Sequence, residues 1–204
     1  MVANHDKNFA KWPASLRQNP QPERPKKGRS NEKPKSNEMI IDLESMLKDR
    51  LQCYQDMNDG KLPEKIIFFR DGLSEAQFES CKTEEIPQLR EAIKNTYKKT
   101  VPRIMVICAV KRHHTRFYAP PGQEKAVEKL LLPNKKGDRK HPVPGITVFE
   151  GVTNGKHDDF FMISQVTQLG TARPTHYVVL ENEFGNEFHI KDVAQAVSPG
   201  SNQC

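Results

Sequence analysis

The sequence predicts an α/β domain, and three features of its middle section carry that expectation. Two apolar stretches, Lys65-Ile66-Ile67-Phe68-Phe69-Arg70 and Arg103-Ile104-Met105-Val106-Ile107-Cys108-Ala109-Val110, have the length and character of strands. The segment between them, from about Ser74 to Tyr97, reads as a helix interrupted or restarted near Pro87. An amphipathic helix precedes the first strand, and such helix–strand alternation defines the class.

Residues 18–37 contain four prolines and no apolar periodicity, so they are expected to form a mobile basic loop. Ser36-Asn37 can cap a helix running from Glu38 to about Asn58. Its residues Ile40, Ile41, Leu43, Met46, Leu47, Leu51 and Tyr54 recur at helical spacing and bury one face. Gly60 and Pro63 end it. The stretch 103–110 is an almost continuous apolar run, as expected of a central strand covered on both faces. Residues 117–144 carry Pro120, Pro121, Gly122, Pro133, Gly137, Pro142 and Pro144, and read as one long loop. Short strands at about 146–152 and 176–182 flank a segment, 159–168, that is helix or strand on pattern alone. A helix at 189–197 comes last, before a tail at 198–204.

The 204 residues suit one domain with a flexible arm, since hydrophobic content is only 35% and 15 residues are proline. The formal net charge of +6 is unevenly placed. Residues 1–37 hold nine Lys or Arg against three Asp or Glu, and the rest of the chain holds 23 of each. The basic balance therefore belongs to the arm, and by itself does not argue that the folded part binds nucleic acid. Cys53, Cys81, Cys108 and Cys204 show no metal-ligand spacing, and Cys108 reads as a small core residue. The first residues turn polar at the fourth position, and the longest apolar run, Ile104 to Val110, is too short for a bilayer. The expectation is a soluble intracellular protein with free thiols.

Three blocks carry chemistry. Phe68-Phe69-Arg70-Asp71-Gly72-Leu73-Ser74-Glu75 places a carboxylate at the end of a strand, where α/β sheets hold metal-binding or catalytic groups, although strand-Asp-Gly is also an ordinary turn. Lys111-Arg112-His113-His114-Thr115-Arg116 puts five potential cations into six residues directly after the central strand. Such a cluster can hold successive phosphates without reading bases, or it can be a solvated turn. Gly170-Thr171-Ala172-Arg173-Pro174-Thr175-His176-Tyr177 supplies another arginine before a strand. Glu38, on pattern alone, is an acid in a helix first turn, favoured by the macrodipole.

In order and spacing, these blocks resemble the C-terminal part of the PIWI domain of Argonaute proteins, of fungal type, over residues 38–197. Residues 1–17 resemble a remnant of the same domain. The resemblance implies an RNase H-like mixed sheet flanked by helices, incomplete here. It implies a guide RNA and a complementary target RNA as partners, with silencing-complex proteins, in the cytoplasm or also the nucleus. It assigns Asp71 as a catalytic Mg²⁺ ligand. Asn37-Glu38-Met39-Ile40-Ile41 matches the family's Gln-Glu-aliphatic-aliphatic element, which makes Glu38 the second catalytic acid. Lys111, Arg112, His114, Arg116 and Arg173 become guide-phosphate contacts, and His113 faces the protein.

The departures matter as much. Phe160-Phe161-Met162-Ile163-Ser164-Gln165-Val166 places Gln165 where the family has a backbone-contacting His, keeping hydrogen bonding without the charge. The family's first catalytic Asp and its last tetrad residue have no counterpart. His176 belongs to an internal strand and is not that residue. Two Mg²⁺ ions need clustered carboxylates, so the chain is expected to bind nucleic acid without cleaving it, as if truncated at both ends. The alternatives are a Mg²⁺-dependent slicer completed in a longer parent, or a non-functional truncated reading frame.

Overall fold

The computed structural model describes residues 1–6, 8–20, 38–119, 121–123, 125, 127, 130–133, 140–153, 155–167, 171–185 and 192. Two compact units are resolved, Met1–Ile66 with Glu75–Arg103, and Ile67–Ser74 with Ile104–Cys204.

The first unit is helical. Helix α1 spans Leu43–Met57 and buries Leu43, Met46, Leu47 and Leu51. It starts five residues later than the apolar spacing suggests, because side chains far away in sequence hold the backbone before it. Asn19 Nδ2 donates to the Met39 carbonyl at 2.8 Å, and Glu85 Oε1 accepts from the Ile40 amide at 2.8 Å. Gln88 accepts from the Leu43 amide and donates to the Ile40 carbonyl, each at 2.8 Å. The N-terminal amides of a helix need such partners; here they come from another helix, while Asp42 at the cap position pairs with Arg17 at 3.2 Å. At the other end Asp59 and Gly60 take positive φ, and the Gly60 amide reaches the Gln55 carbonyl at 3.0 Å, stopping the helix where Gly60 predicts.

The second helical stretch is broken as expected near Pro87, and the break has a definite form. Helix α2, Phe78–Ser80, widens into a π-turn over Cys81–Glu85 before α3, Ile86–Thr96, resumes. Pro87 cannot donate to the carbonyl four residues back, and the wider turn just before it takes up that mismatch. The turn carries Glu85, 0% exposed, into the interior, where it meets the Ile40 amide. Val2 and Ala14 form an antiparallel bridge, and the N-terminal segment is tied to α1 through Ser15 and Arg17 on Asp49.

The second unit is built on a sheet. Strands β1 (Lys65–Asp71, beginning in the first unit), β2 (Arg103–Val110), β5 (Thr147–Val148), β6 (Asp159–Met162) and β7 (Thr175–Asn182) order as β1-β2-β7-β6-β5 in a mixed sheet. Strand β2 is central and buried along both faces from Ile104 to Ala109, as its apolar run predicts. Met105, Ile107 and Ala109 join Phe160, Met162, Tyr177 and Phe184 in one core. The Phe160 ring stacks on Tyr177 at 5.0 Å. Of the ambiguous segment 159–168, the described residues 159–167 form strand β6 followed by irregular chain, since all four β6 residues are buried against β7.

Two expectations need correcting. The region 117–144 is not one loop: β3 (Leu131–Pro133) and β4 (Lys140–Pro142) pair there as an antiparallel ribbon. The strand expected at 146–152 shortens to the two residues of β5, because Gly151 turns with φ +82°. Residues 21–37 of the basic loop expected at 18–37, the last helix expected at 189–197 (apart from Asp192) and the tail 198–204 lie outside the described residues. Among the described residues no helix is long and apolar enough to cross a membrane.

Candidate nucleic-acid interface

Strand pairing decides where the two basic segments meet. Strands β2 and β7 run antiparallel, with Val110 opposite His176. The chain leaving β2 at Lys111 therefore emerges beside the chain entering β7 at Thr175, and residues 61 apart in sequence become neighbours. His113 closes the junction: its Nε2 lies 2.9 Å from the Pro174 carbonyl. A carbonyl only accepts, so Nε2 is the donor, leaving Nδ1 on the far side of the ring. That Nδ1 is buried with no hydrogen-bond partner among the described residues.

Around this link the side chains sort by direction. His113 is half-buried, as the sequence suggests, and Ala172 and Pro174 are buried, whereas Lys111, Arg112, His114 and Arg173 are exposed. Arg112, His114 and Arg173 form no side-chain hydrogen bond or ion pair among the described residues. Arg116 is half-buried and turns back on its own loop, where Nη1 donates to the carbonyls of His113 at 3.0 Å and Thr115 at 2.6 Å. Gln165 is exposed, just beyond Ser164, whose hydroxyl lies 3.3 Å from the Tyr177 hydroxyl.

Beneath the junction lies a group that pattern reasoning did not assemble. Asp159, the first residue of β6, is only 7% exposed, and its Oδ2 lies 2.6 Å from His176 Nε2. His176 stacks on Phe161, its cross-strand partner, at 4.1 Å and 3°. The His113 ring meets the Phe161 ring at 5.3 Å and 78°, an edge-to-face approach. Burial holds the His113 pKa below the usual 6.5, opposed by the Pro174 bond and reinforced by His176, Arg116 and His114. The available signal was an acid opening an otherwise apolar strand, Asp159-Phe160-Phe161-Met162, since a buried carboxylate requires a partner.

The two acids singled out by the sequence fall in different units. Asp71 ends β1 with a 61% exposed side chain, and Lys111 Nζ lies 2.8 Å from its Oδ2. Glu38 sits in the coil ahead of α1, not in its first turn, and accepts from Gln77 Nε2. His176 is an internal strand residue held by Asp159, as its context in the sequence suggests.

Known proteins place this arrangement. The Piwi domain family matches residues 19–192, most of the chain. The chain belongs to that family. It is 35% identical over 156 residues to the protein argonaute of Schizosaccharomyces pombe, covering 76% of this chain and 17% of that protein. It is 31% identical over 142 residues to protein argonaute 4 of Arabidopsis thaliana, covering 70% and 14%. Among solved structures, Kluyveromyces polysporus Argonaute with a guide RNA superposes at TM-score 0.71 and 29% identity, over 96% of this chain and 22% of that one. The C-terminal lobe of a budding yeast Argonaute does so at 0.63 and 30%, over 79% and 32%. The fold is therefore the RNase H-like PIWI fold. The chain spans about 12–17% of the length of the curated relatives it matches.

PIWI domains of this family generally use a divalent metal. Among the described residues, however, no three His, Cys, Asp or Glu side chains gather into a metal-binding group. Asp71 has an ammonium on its carboxylate. Mg²⁺ takes hard oxygen ligands in near-octahedral geometry, and one exposed carboxylate paired with Lys111 does not fit it.

Proposed function

We propose that this chain is a guide-RNA-binding PIWI segment of an Argonaute-like RNA-silencing protein, acting in the cytoplasm, and that it holds the phosphate backbone on the His113–Pro174 junction. The supporting observation is that two basic segments converge there with Arg112, His114 and Arg173 turned outward. Cations with no partner among the described residues are available to phosphates, and phosphate contacts fix the position of a strand without reading its sequence. Lys111 joins them when it leaves Asp71, and Arg116 shapes the loop that carries them. Gln165 contributes hydrogen bonds at the edge of the same surface. A target RNA then pairs with the guide, so base specificity resides in the guide. Guide-directed cleavage, in which Glu38 and Asp71 would be two of the four catalytic residues, is proposed only for a whole Argonaute.

Equilibrium binding of a short single-stranded RNA across a salt series tests this. Each phosphate contact contributes about −0.7 to the slope of log K against log salt for single strands. Arg112→Ala should weaken binding and flatten the slope by about that amount. Binding that is weak, salt-independent and indifferent to Arg112→Ala would end the proposal.

A further inference from the structure

We propose that His113 is a positioning residue for RNA binding, backed by Phe161 and the Asp159–His176 pair, which keeps two basic loops in one fixed relation. The inference rests on the phosphate-binding reading above and adds the device that makes its contacts simultaneous.

A phosphate backbone presents charges at regular intervals, so separate cations act together only when their spacing is held. Here Arg112 and His114 lie on one segment and Arg173 on another. The side-chain link that joins these segments is the 2.9 Å bond from His113 Nε2 to the Pro174 carbonyl, next in sequence to Arg173. The ring making that bond is oriented from below. Phe161 meets it edge-on at 5.3 Å, and Phe161 is stacked at 4.1 Å on His176. His176 is in turn fixed by the buried Asp159 at 2.6 Å. Imidazole suits the position because it offers one N–H to the carbonyl and an apolar face and edge to the aromatic ring. The buried Nδ1 has no hydrogen-bond partner among the described residues. A group that leaves a polar atom buried without a partner is retained at a cost, which is consistent with its Nε2 bond being the needed one.

The test compares wild type, His113→Phe, His113→Gln, Arg173→Ala and the His113→Phe/Arg173→Ala double variant, binding the same single-stranded RNA over the same salt series. His113→Phe keeps a ring against Phe161 but removes the donor. It should weaken binding about 5- to 10-fold and flatten the salt slope by about 0.7, as if one phosphate contact were lost. Removing Arg173 in that background should then cost less than about twofold more, because the two changes act on one contact. His113→Gln, which restores an N–H, should recover most of the slope. If His113→Phe does not fold, His113→Ala is judged by the same criteria. A purely structural role would lower the unfolding midpoint while leaving the salt slope and the additivity with Arg173→Ala intact, and that result overturns the inference. Should Arg112→Ala and Arg173→Ala also leave the slope unchanged, the phosphate-binding reading fails as well.

Discussion

The helical and sheet units use their polar side chains in opposite ways. In the helical unit they serve the chain itself: Asn19, Glu85 and Gln88 hold the backbone ahead of α1, and Arg17 pairs with Asp42 and Asp49. In the sheet unit a polar group, His113 with Asp159 and His176 beneath it, is turned inward, and Arg112, His114 and Arg173 beside it are left to solvent. Inward polar groups fix geometry, and outward ones remain available to a partner. The difference separates residues whose loss should unfold the chain from residues whose loss should only weaken binding.

The largest effect that can break this contrast is in the sheet core. Phe160 is fully buried and stacked on Tyr177, so Phe160→Ala should destabilise the protein by about 3–5 kcal/mol in denaturant unfolding. Glu85→Leu should cost about 1–3 kcal/mol by leaving the Ile40 amide without its acceptor, while RNA affinity of the folded protein stays unchanged. A loss of affinity with no loss of stability would show that the helical network serves binding after all.

Acid should sharpen the comparison by acting on the units in different pH windows. His113 has its folded pKa below 6.5, so the unfolded chain takes up that proton at higher pH than the folded one. Its contribution to stability is present above 6.5 and is lost as pH falls through that value toward the folded pKa. Asp49 is held below 3.8, chiefly by its hydrogen bond from Arg17. Its contribution is present above 3.8 and lost only as pH falls further. Unfolding midpoints measured from pH 8 to pH 3 should therefore decline first near 6.5, and His113→Phe should remove that first step. The smallest effect is expected at the exposed Lys111–Asp71 pair, where Asp71→Asn should change stability by less than about 1 kcal/mol.

What could be read from sequence follows the range of the forces involved. Strand β2 was legible to the residue because a continuous apolar run is a local signal of burial on both faces. The break near Pro87 was legible for a similar reason, since proline acts on the turn that contains it. The start of α1 was not, because it is set by Asn19, Glu85 and Gln88, each 20 or more residues from the backbone it bonds. The strands β3 and β4 have three residues each and carry too little periodicity to detect, whereas β5 was expected at 146–152 and only its length was missed. The basic blocks at 111–116 and 170–177 were visible as composition and as a family resemblance. Their meeting through His113 and Pro174 depends on the β2–β7 register, which neither block contains.

The most direct measurement is the salt dependence of RNA binding for three proteins: wild type, the Arg112→Ala/Arg173→Ala double variant, and Lys94→Ala. Lys94 is an exposed cation of the helical unit, paired only loosely with Glu91 at 3.6 Å. The account predicts that the double variant loses about 1.4 from the slope of log K against log salt and that Lys94→Ala keeps the wild-type slope. A Lys94→Ala loss of about half the double variant's, the same per charge removed, would mean that RNA senses the overall charge of the chain and not the His113–Pro174 junction, contradicting the account.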